Sequence, residues 1–257
     1  MTGEILVVEK VSKTFGGLRA VACASFSVKT GSVTALIGPN GAGKTTMFDL
    51  ISGVTRPDEG SVRLQDRRID GMAPHSITQL GLARTFQLTR VFAGLSVLDN
   101  MLLANPHQPG EHLAGLLLQA GRAKAAEQSA RTRAAELLKV FGLDAKVGDY
   151  AGNLSGGQRK LLEAARILMT EPKIVLLDEP MAGVNPTLGH RLLDHIETLR
   201  REQGITFLFV EHDMDVVMTR ADRVIVMAQG TVIADGPPDA VRTNPKVIAA
   251  YLGGTTA

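Results

Sequence analysis

The chain contains the stretch Gly38-Pro39-Asn40-Gly41-Ala42-Gly43-Lys44-Thr45-Thr46. It follows the apolar run Val33–Ile37, which predicts a buried strand, and it leads into residues 45–52, which predict a helix that stops at Gly53. Its three glycines let the backbone wrap around a phosphate group, whose approach side chains would block. The stretch therefore predicts a phosphate-binding loop between a strand and a helix, and with it an α/β fold.

The side chains of this loop predict ATP as the ligand and Mg²⁺ as its metal. Lys44 is expected to reach the β- and γ-phosphates, and the Thr45 hydroxyl is expected to complete the Mg²⁺ shell. One Lys–phosphate contact at about 4 Å and an effective dielectric near 20 is worth roughly 4 kcal/mol. The loop residues predicted to bind the nucleotide are Gly38, Pro39, Asn40, Gly41, Ala42, Gly43, Lys44, Thr45 and Thr46.

A second element supplies two carboxylates. The apolar run Ile174–Leu177 predicts a central strand, and Asp178 and Glu179 follow at its carboxyl end, where open α/β sheets bind ligands. Asp178 is suited to hold Mg²⁺, and Glu179 is suited to act as general base toward the water that attacks the γ-phosphate. The alternative is an acidic strand end that is merely exposed to solvent.

Composition limits the possible functions. The chain has 257 residues, of which 44% are hydrophobic and 21% charged, and a net charge of +2, which gives no electrostatic case for nucleic-acid binding. Cys23 is the single cysteine, so an intrachain disulfide is excluded. Neither a signal peptide nor an apolar stretch of roughly 18 residues occurs in the sequence. We therefore expect a cytoplasmic protein that reaches a membrane only through a partner.

The order of the predicted elements is that of an α/β protein with an insertion. Short strands and one helix make up the first third, and the middle, from Val97 to about Val140, is helical. The last third alternates again, with strands at Ile174–Leu177 and Ile205–Val210 around a helix at Leu188–Gln203. Such alternation predicts a parallel sheet with helices on its faces.

A pentapeptide of a different kind precedes the acidic pair: Leu154-Ser155-Gly156-Gly157-Gln158. A serine and glycines at the start of the predicted helix Gly156–Met169 form a second anion cradle. One chain does not need two cradles for one triphosphate. As a bare pentapeptide the run could also be no more than a glycine-capped helix start.

Taken in this order, the phosphate loop, the pentapeptide and the acidic pair resemble the ATP-binding cassette (ABC) proteins, the nucleotide-binding subunits of ABC transporters. The resemblance runs from Leu6 to Leu252. It implies a P-loop NTPase with a RecA-like, mostly parallel core sheet, an N-terminal antiparallel β-subdomain and an inserted α-helical subdomain that ends in the pentapeptide, the family's signature motif. The implied bounds are 1–87 and 157–257 for the core and 88–156 for the helical subdomain.

The resemblance also implies a head-to-tail dimer that sandwiches two ATP molecules. In the family, the signature motif of one subunit closes over the γ-phosphate held by the other. The residues implied to do so in this chain are Ser155, Gly156, Gly157 and Gln158.

Three further positions match the family one by one. Gln87 resembles the glutamine that senses Mg²⁺ and the attacking water, so it is implied in both metal binding and catalysis. His212 resembles the histidine that contacts the γ-phosphate; taken without the family, it could equally be a surface histidine. Phe15 occupies the place of the aromatic residue that stacks on adenine, although a lone phenylalanine beside a strand is often part of a core.

Other segments resemble a narrower group, the ATPases of branched-chain amino acid importers with their urea and short-amide relatives. These segments are Phe15-Gly16-Gly17-Leu18, Arg84-Thr85-Phe86-Gln87, His212-Asp213-Met214-Asp215 and the tail from Asn244 to Gly253. The ATPases of lipopolysaccharide export share some of these features. Asn185 departs from the aspartate that many cassettes carry in the D-loop.

The narrower resemblance implies partners and a location. The partners are a second cassette of the same or a related sequence, two transmembrane permease subunits and, indirectly, a periplasmic binding protein, with no nucleic acid. The implied location is the inner face of the cell membrane. A function of another class, a soluble cassette ATPase that acts on ribosomes or DNA, fits less well, because the chain has one cassette, no heptad run and little net charge.

Overall fold

The computed structural model of the chain describes residues 3–85, 91–106 and 120–252, and for residues 120–123 the backbone alone. The chain divides into two compact units. The first comprises Met1–Arg84, Lys173–Met181 and Ile196–Ala257, and the second comprises Thr85–Pro172 and Ala182–His195. Both units are therefore discontinuous in sequence.

The strands of the described residues are β1 Glu4–Phe15, β2 Leu18–Lys29, β3 Val33–Ile37, β4 Glu59–Leu64, β5 Arg67–Arg68, β6 Leu82–Arg84, β7 Ile174–Asp178, β8 Thr206–Val210, β9 Arg223–Ala228 and β10 Thr231–Gly236. The helices are α1 Lys44–Ile51, α2 Pro74–Gln79, α3 Val97–Leu102, α4 Ala120–Val140, α5 Gly156–Leu168, α6 Pro186–Gln203, α7 Met214–Arg220, α8 Pro238–Arg242 and α9 Pro245–Leu252. Short 3-10 helices cover Asp144–Lys146 and Ala151–Asn153.

The larger sheet of the first unit is mostly parallel. Its strand order is β10-β9-β3-β8-β7-β6, and only β10 pairs antiparallel to its neighbour. Every residue of β3, β7 and β8 is buried. Strands inside a parallel sheet are covered on both faces, and this is why these three strands are almost entirely apolar and show no alternation with polar residues. The predicted RecA-like core sheet is confirmed.

The smaller sheet is antiparallel, in the order β2-β1-β4-β5, and confirms the predicted N-terminal β-subdomain. Strand β1 begins with the apolar run Ile5–Val8 and continues well past it, to Phe15. The sequence pattern breaks at Lys10, which has a φ of 49° at a shift in register between Val8 and Val11, so the strand continues past a bulge. A hairpin that turns at Gln65 and Asp66 joins β4 to β5.

The second unit is helical in its described part, as the resemblance implies. Helices α3, α4 and α5 pack on one another, and each contributes a fully buried apolar side chain: Met101, Leu138 and Leu162. The predicted helical stretch Val97–Val140 is interrupted directly after α3, because residues 103–106 are not helical, while residues 107–119 lie outside the described part of the chain. In the described ranges, no helix has the length and apolar character required to cross a bilayer.

Candidate nucleotide site

The phosphate loop connects β3 to α1 through glycines that no other residue could replace without movement of the backbone. Gly38 has a φ of 150°, and a Cβ built on it would lie 2.0 Å from the carbonyl oxygen of Met227. Gly43 has a φ of 96°, and its Cβ would lie 2.4 Å from the carbonyl oxygen of Ala20. Both distances are far inside van der Waals contact, so β2 and β9 press directly on the loop.

Lys44 begins α1 and turns its side chain back into the loop. Its Nζ donates hydrogen bonds to the carbonyl oxygens of Gly38, at 2.7 Å, and Pro39, at 3.0 Å. Burial lowers the pKa of this amine, while the charges of Glu179 and Asp178 oppose that shift. A cation buried on carbonyl oxygens and drawn toward two carboxylates is well placed to exchange these partners for phosphate oxygens. Next to it, Thr45 is exposed and Thr46 half-buried.

Asp178 is the last residue of β7 and lies opposite Val210 of β8. Its side chain is buried and accepts a hydrogen bond from Nη2 of Arg84 at 3.2 Å. Burial raises the pKa of the Asp178 carboxyl, and the Arg84 guanidinium counteracts this shift. The donor set fits Mg²⁺, which prefers oxygen ligands and takes one or two of them from protein beside phosphates and water. Asp178 and the Thr45 hydroxyl are the residues of the described chain that would hold it.

Glu179 and His212 are brought together by the pairing of β7 with β8. Glu179 follows β7 with a φ of 50°, and its N–H donates to the carbonyl oxygen of Val210 at 3.0 Å. His212 follows β8, and its Nε2 lies 2.6 Å from Oε1 of Glu179. The His212 side chain is 48% exposed, and its imidazole contacts the carboxylate predicted to act as general base.

Glu211 was not singled out from the sequence, yet it organises this corner of the site. Its Oε1 accepts a hydrogen bond from the N–H of Met181 at 2.7 Å, and its Oε2 accepts one from the N–H of His212 at 3.2 Å. Burial raises the pKa of this carboxyl, and the two backbone bonds oppose the shift. Glu211 therefore ties the segment after Glu179 to the segment that carries His212. The preceding buried strand gave no signal of this, because the two partners are distant in sequence.

Phe15 lies at the end of β1 with 47% of its surface exposed, and Nζ of Lys13 is 5.4 Å from its ring centroid. The alternative of a core phenylalanine is therefore wrong. The hairpin that carries Phe15 also carries Ala20, whose carbonyl oxygen abuts Gly43 of the phosphate loop. An open aromatic face and a phosphate loop thus adjoin the same strand pair.

The signature residues form a group of their own in the second unit. Ser155 is the N-cap of α5: its Oγ accepts from the N–H of Gln158 at 3.2 Å, and its own N–H donates to Oε1 of Gln158 at 3.0 Å. This capping box explains the helix start. Ser155 and Gly156 are exposed, whereas a Cβ on Gly157 would lie 3.0 Å from Leu188. Gln87 lies outside the described residues.

Together, a phosphate loop, an acidic strand end with an adjacent histidine and a glycine-rich second helix start define a nucleotide-hydrolysing P-loop protein. A family model described as ABC transporter matches residues 21–182, and one described as Branched-chain amino acid ATP-binding cassette transporter matches residues 231–257. The chain belongs to the ABC transporter family. It is an ATP-binding subunit that couples ATP hydrolysis to transport.

Similar proteins span the whole chain. The High-affinity branched-chain amino acid transport ATP-binding protein LivG of Salmonella typhimurium is 40% identical over 253 residues, which are 98% of this chain and 99% of that protein. The corresponding BraF of Pseudomonas aeruginosa is 41% identical over 254 residues, with the same coverage of 98% and 99%. The crystal structure of an ABC transporter cassette in its ADP conformation superposes with a TM-score of 0.82 at 37% identity, covering 98% of this chain and 100% of that one.

The contacts of Gly38 predict the effect of a single methyl group in the loop. Gly38→Ala should abolish nucleotide binding and destabilise the fold, because Cβ collides with Met227, and the backbone would have to shift. Gly31→Ala is the matched control: Gly31 also has a positive φ, 71°, but nothing lies within 4 Å of its Cβ. We expect the control to lose only about 1 kcal/mol of stability to backbone strain. Thermal unfolding measures the stability of each variant, and a fluorescent ATP analogue measures its nucleotide binding. Equal losses in Gly38→Ala and Gly31→Ala would contradict the collision with Met227.

Proposed function

We propose that the chain is the ATPase subunit of an importer of branched-chain amino acids. This cargo is best supported by one observation: the chain is similar to LivG and BraF over nearly its whole length, and its residues 231–257 separately match the family model of branched-chain amino acid cassettes. The match at the C-terminus favours amino acids over urea or short amides and over lipopolysaccharide export, which the motifs of the sequence alone left open. The residues of the site contact nucleotide and not cargo, so they do not contribute to this choice.

The first unit binds ATP in this proposal. Phe15 stacks on adenine, and the loop 38–46 wraps the phosphates while the N-terminus of α1 adds its dipole. Lys44 leaves the carbonyl oxygens of Gly38 and Pro39 for the β- and γ-phosphates. Bound Mg²⁺ supplies charge neutralisation across these phosphates, and Thr45, Asp178 and Gln87 are the residues proposed to hold it.

Glu179 takes the proton of the attacking water, and the neighbouring His212 contacts the γ-phosphate. Nε2 of His212 lies 2.6 Å from Oε1 of Glu179, so both groups can act on the same bound γ-phosphate and attacking water. Glu179 serves as general base, and an imidazole N–H of His212 is available to the γ-phosphate once nucleotide is present. Gln87 completes the positioning of the water. The Glu211 bonds to both adjoining segments support this geometry.

The second unit offers the complementary half-site. The exposed helix start at Ser155 and Gly156, backed by the packed Gly157, presents an anion cradle at the N-terminus of α5. We propose that it closes over the γ-phosphate of a second cassette, with Gln158 holding the cap as in the structure. In the D-loop, Asn185 accepts a hydrogen bond from the N–H of Thr187 at 2.9 Å. Asn185 thus starts α6 without the charge that an aspartate would bring to the interface.

The proposed partners beyond the second cassette are two permease subunits and, through them, a periplasmic binding protein; the chain would lie on the inner face of the membrane. The permease would press on the segment that follows Gln87. Of that segment the structure describes Val91, half-buried, and Phe92, which is exposed on the guanidinium of Arg166. We retain the functional division into 1–87 with 157–257 and 88–156 as part of this proposal.

The role of Glu179 is tested by replacing it with glutamine. Glu179→Gln should bind ATP as the native chain does and accumulate as a nucleotide-bound dimer, while turnover falls by at least about a hundredfold, the contribution typical of a general base. Steady-state ATPase assays and light scattering measure both, with Glu171→Gln, an exposed carboxylate elsewhere, as control. Turnover at the native rate would show that the base is another group.

The cargo and the class of function are tested in reconstituted vesicles with the cognate permeases. We expect ATP-driven uptake of leucine, isoleucine or valine and no uptake of urea. Uptake of urea alone, or a chain that copurifies with ribosomes and stimulates no transport, would contradict the proposal in favour of the respective alternative.

The coupling surface is tested at Phe92. Phe92→Ala should leave the ATPase activity of the isolated subunit unchanged and reduce transport, because the side chain is 53% exposed and belongs to the second unit. Val54→Ala is the control, since Val54 has the same exposed fraction of 53% but belongs to the first unit. Transport that is reduced equally in both variants, or in neither, would contradict a permease contact at Phe92.

A further inference from the structure

Arg84 is the last residue of β6 and one of the most buried charged side chains of the first unit, with 7% of its side chain exposed. Its guanidinium donates hydrogen bonds to three side chains of the described residues. Nη1 donates to Oδ1 of Asp49 at 2.6 Å and to Oγ of Ser52 at 3.0 Å, and Nη2 donates to Oδ2 of Asp178 at 3.2 Å.

These three partners belong to two elements of the nucleotide site. Asp49 and Ser52 lie at the C-terminal end of α1, the helix whose first residue is Lys44 of the phosphate loop. Asp178 ends β7 at the position proposed for the metal. Arg84 therefore joins the far end of the phosphate-loop helix to the carboxylate, and it does so directly before the segment that contains Gln87.

The local geometry restrains the guanidinium further. The hydroxyl of Ser52 donates its own proton to the carbonyl oxygen of Phe48 at 2.7 Å, which leaves its oxygen oriented as acceptor for Arg84. The guanidinium carbon also lies 5.6 Å from the ring centroid of Phe48. A planar fork with several donors suits this arrangement, whereas the ammonium of lysine is a compact charge on a flexible stem and cannot reach both sides with fixed geometry.

We propose that Arg84 is a positioning residue for the metal–nucleotide site, whose guanidinium fixes the Asp178 carboxylate in one orientation relative to α1. The inference rests on the proposed function, because it takes Asp178 as a ligand of the metal. Partners that orient a metal ligand from behind strongly affect metal affinity while they leave the rest of the ligand site intact. Arg84 would therefore act on the metal and not on the phosphate loop as such.

The direct test compares metal binding with metal-free nucleotide binding in Arg84→Lys. Mn²⁺ serves as the probe, measured by electron paramagnetic resonance in the presence of a non-hydrolysable ATP analogue, and a fluorescent ATP analogue in EDTA reports metal-free binding. We expect Mn²⁺ to bind about tenfold more weakly, in line with losses at such outer partners, and metal-free nucleotide binding to be unchanged.

Arg68→Lys is the matched control, because Arg68 belongs to the same unit and its Nε donates to both carboxylate oxygens of Asp70, at 2.9 and 3.0 Å, but on the surface. It should change neither affinity. Unchanged Mn²⁺ affinity in Arg84→Lys would overturn the inference. So would an equal loss of metal-free binding, which would mean that the variant damages the loop as a whole.

Asp49→Asn keeps the inference testable should Arg84→Lys fail to fold. It retains an acceptor for Nη1 but removes the charge that anchors Arg84 to α1, so we expect a smaller Mn²⁺ loss in the same direction; no loss would overturn the inference. If the native protein binds the nucleotide equally well with and without metal, the proposed metal site is wrong, and the inference is wrong with it. If native binding depends on metal but neither variant changes the Mn²⁺ affinity, the inference about Arg84 is wrong while the proposed metal site stands.

Discussion

The parallel pairing of β3, β8 and β7 is the constraint on which the nucleotide site depends. Val210 of β8 lies opposite Leu36 of β3 on one side and opposite Asp178 of β7 on the other. The three strands therefore end at the same level, and the phosphate loop, the acidic pair and His212 all emerge from that edge. A slip of one residue in β7 would turn Asp178 to the other face of the sheet, because side chains alternate along a strand. Since these strands are buried throughout, their packing enforces the register.

Several charged groups are buried at this edge of the sheet. The desolvation of each would be costly if it were unpaired, and neighbouring charges and hydrogen bonds offset that cost. Desolvation lowers the pKa of Lys44 and raises those of Asp178 and Glu211, and in each case charged or hydrogen-bonding neighbours oppose the shift. Buried ionic groups persist when they are paired and hydrogen-bonded. In the proposed function the entering nucleotide rearranges these pairs: Lys44 exchanges carbonyl oxygens for phosphate oxygens, while Arg84 keeps Asp178 in place.

The sequence predicted most of the fold, because its signals are local. A strand that feeds a glycine-rich loop, and an apolar run that ends in two carboxylates, each occupy fewer than about 15 consecutive residues, and both depend on general rules of α/β proteins. The bulge at Lys10 was missed because polar residues there interrupt the alternation of β1. The family resemblance supplied the arrangement of subdomains.

The contacts that complete the site could not be predicted in this way. Arg84 meets Asp178 across 94 residues of sequence, and Glu211 meets Met181 across 30, and neither contact leaves a periodic trace in the chain. Only the strand order, which sets β6 and β8 on the two sides of β7, brings these groups together. The roles of all the site residues stay predictions, those of the phosphate loop, the acidic pair and His212 as much as those of Phe15 and the signature residues, and Gln87 lies outside the described part of the chain.

The measurement that tests the account most directly is a crystal structure of the native chain with Mg²⁺ and a non-hydrolysable ATP analogue. We expect that Nζ of Lys44 has left the carbonyl oxygens of Gly38 and Pro39 and lies within hydrogen-bond distance of the β- and γ-phosphates, with the triphosphate at the common edge of β3 and β7. A triphosphate bound elsewhere, with Lys44 still donating to both carbonyl oxygens, would contradict it.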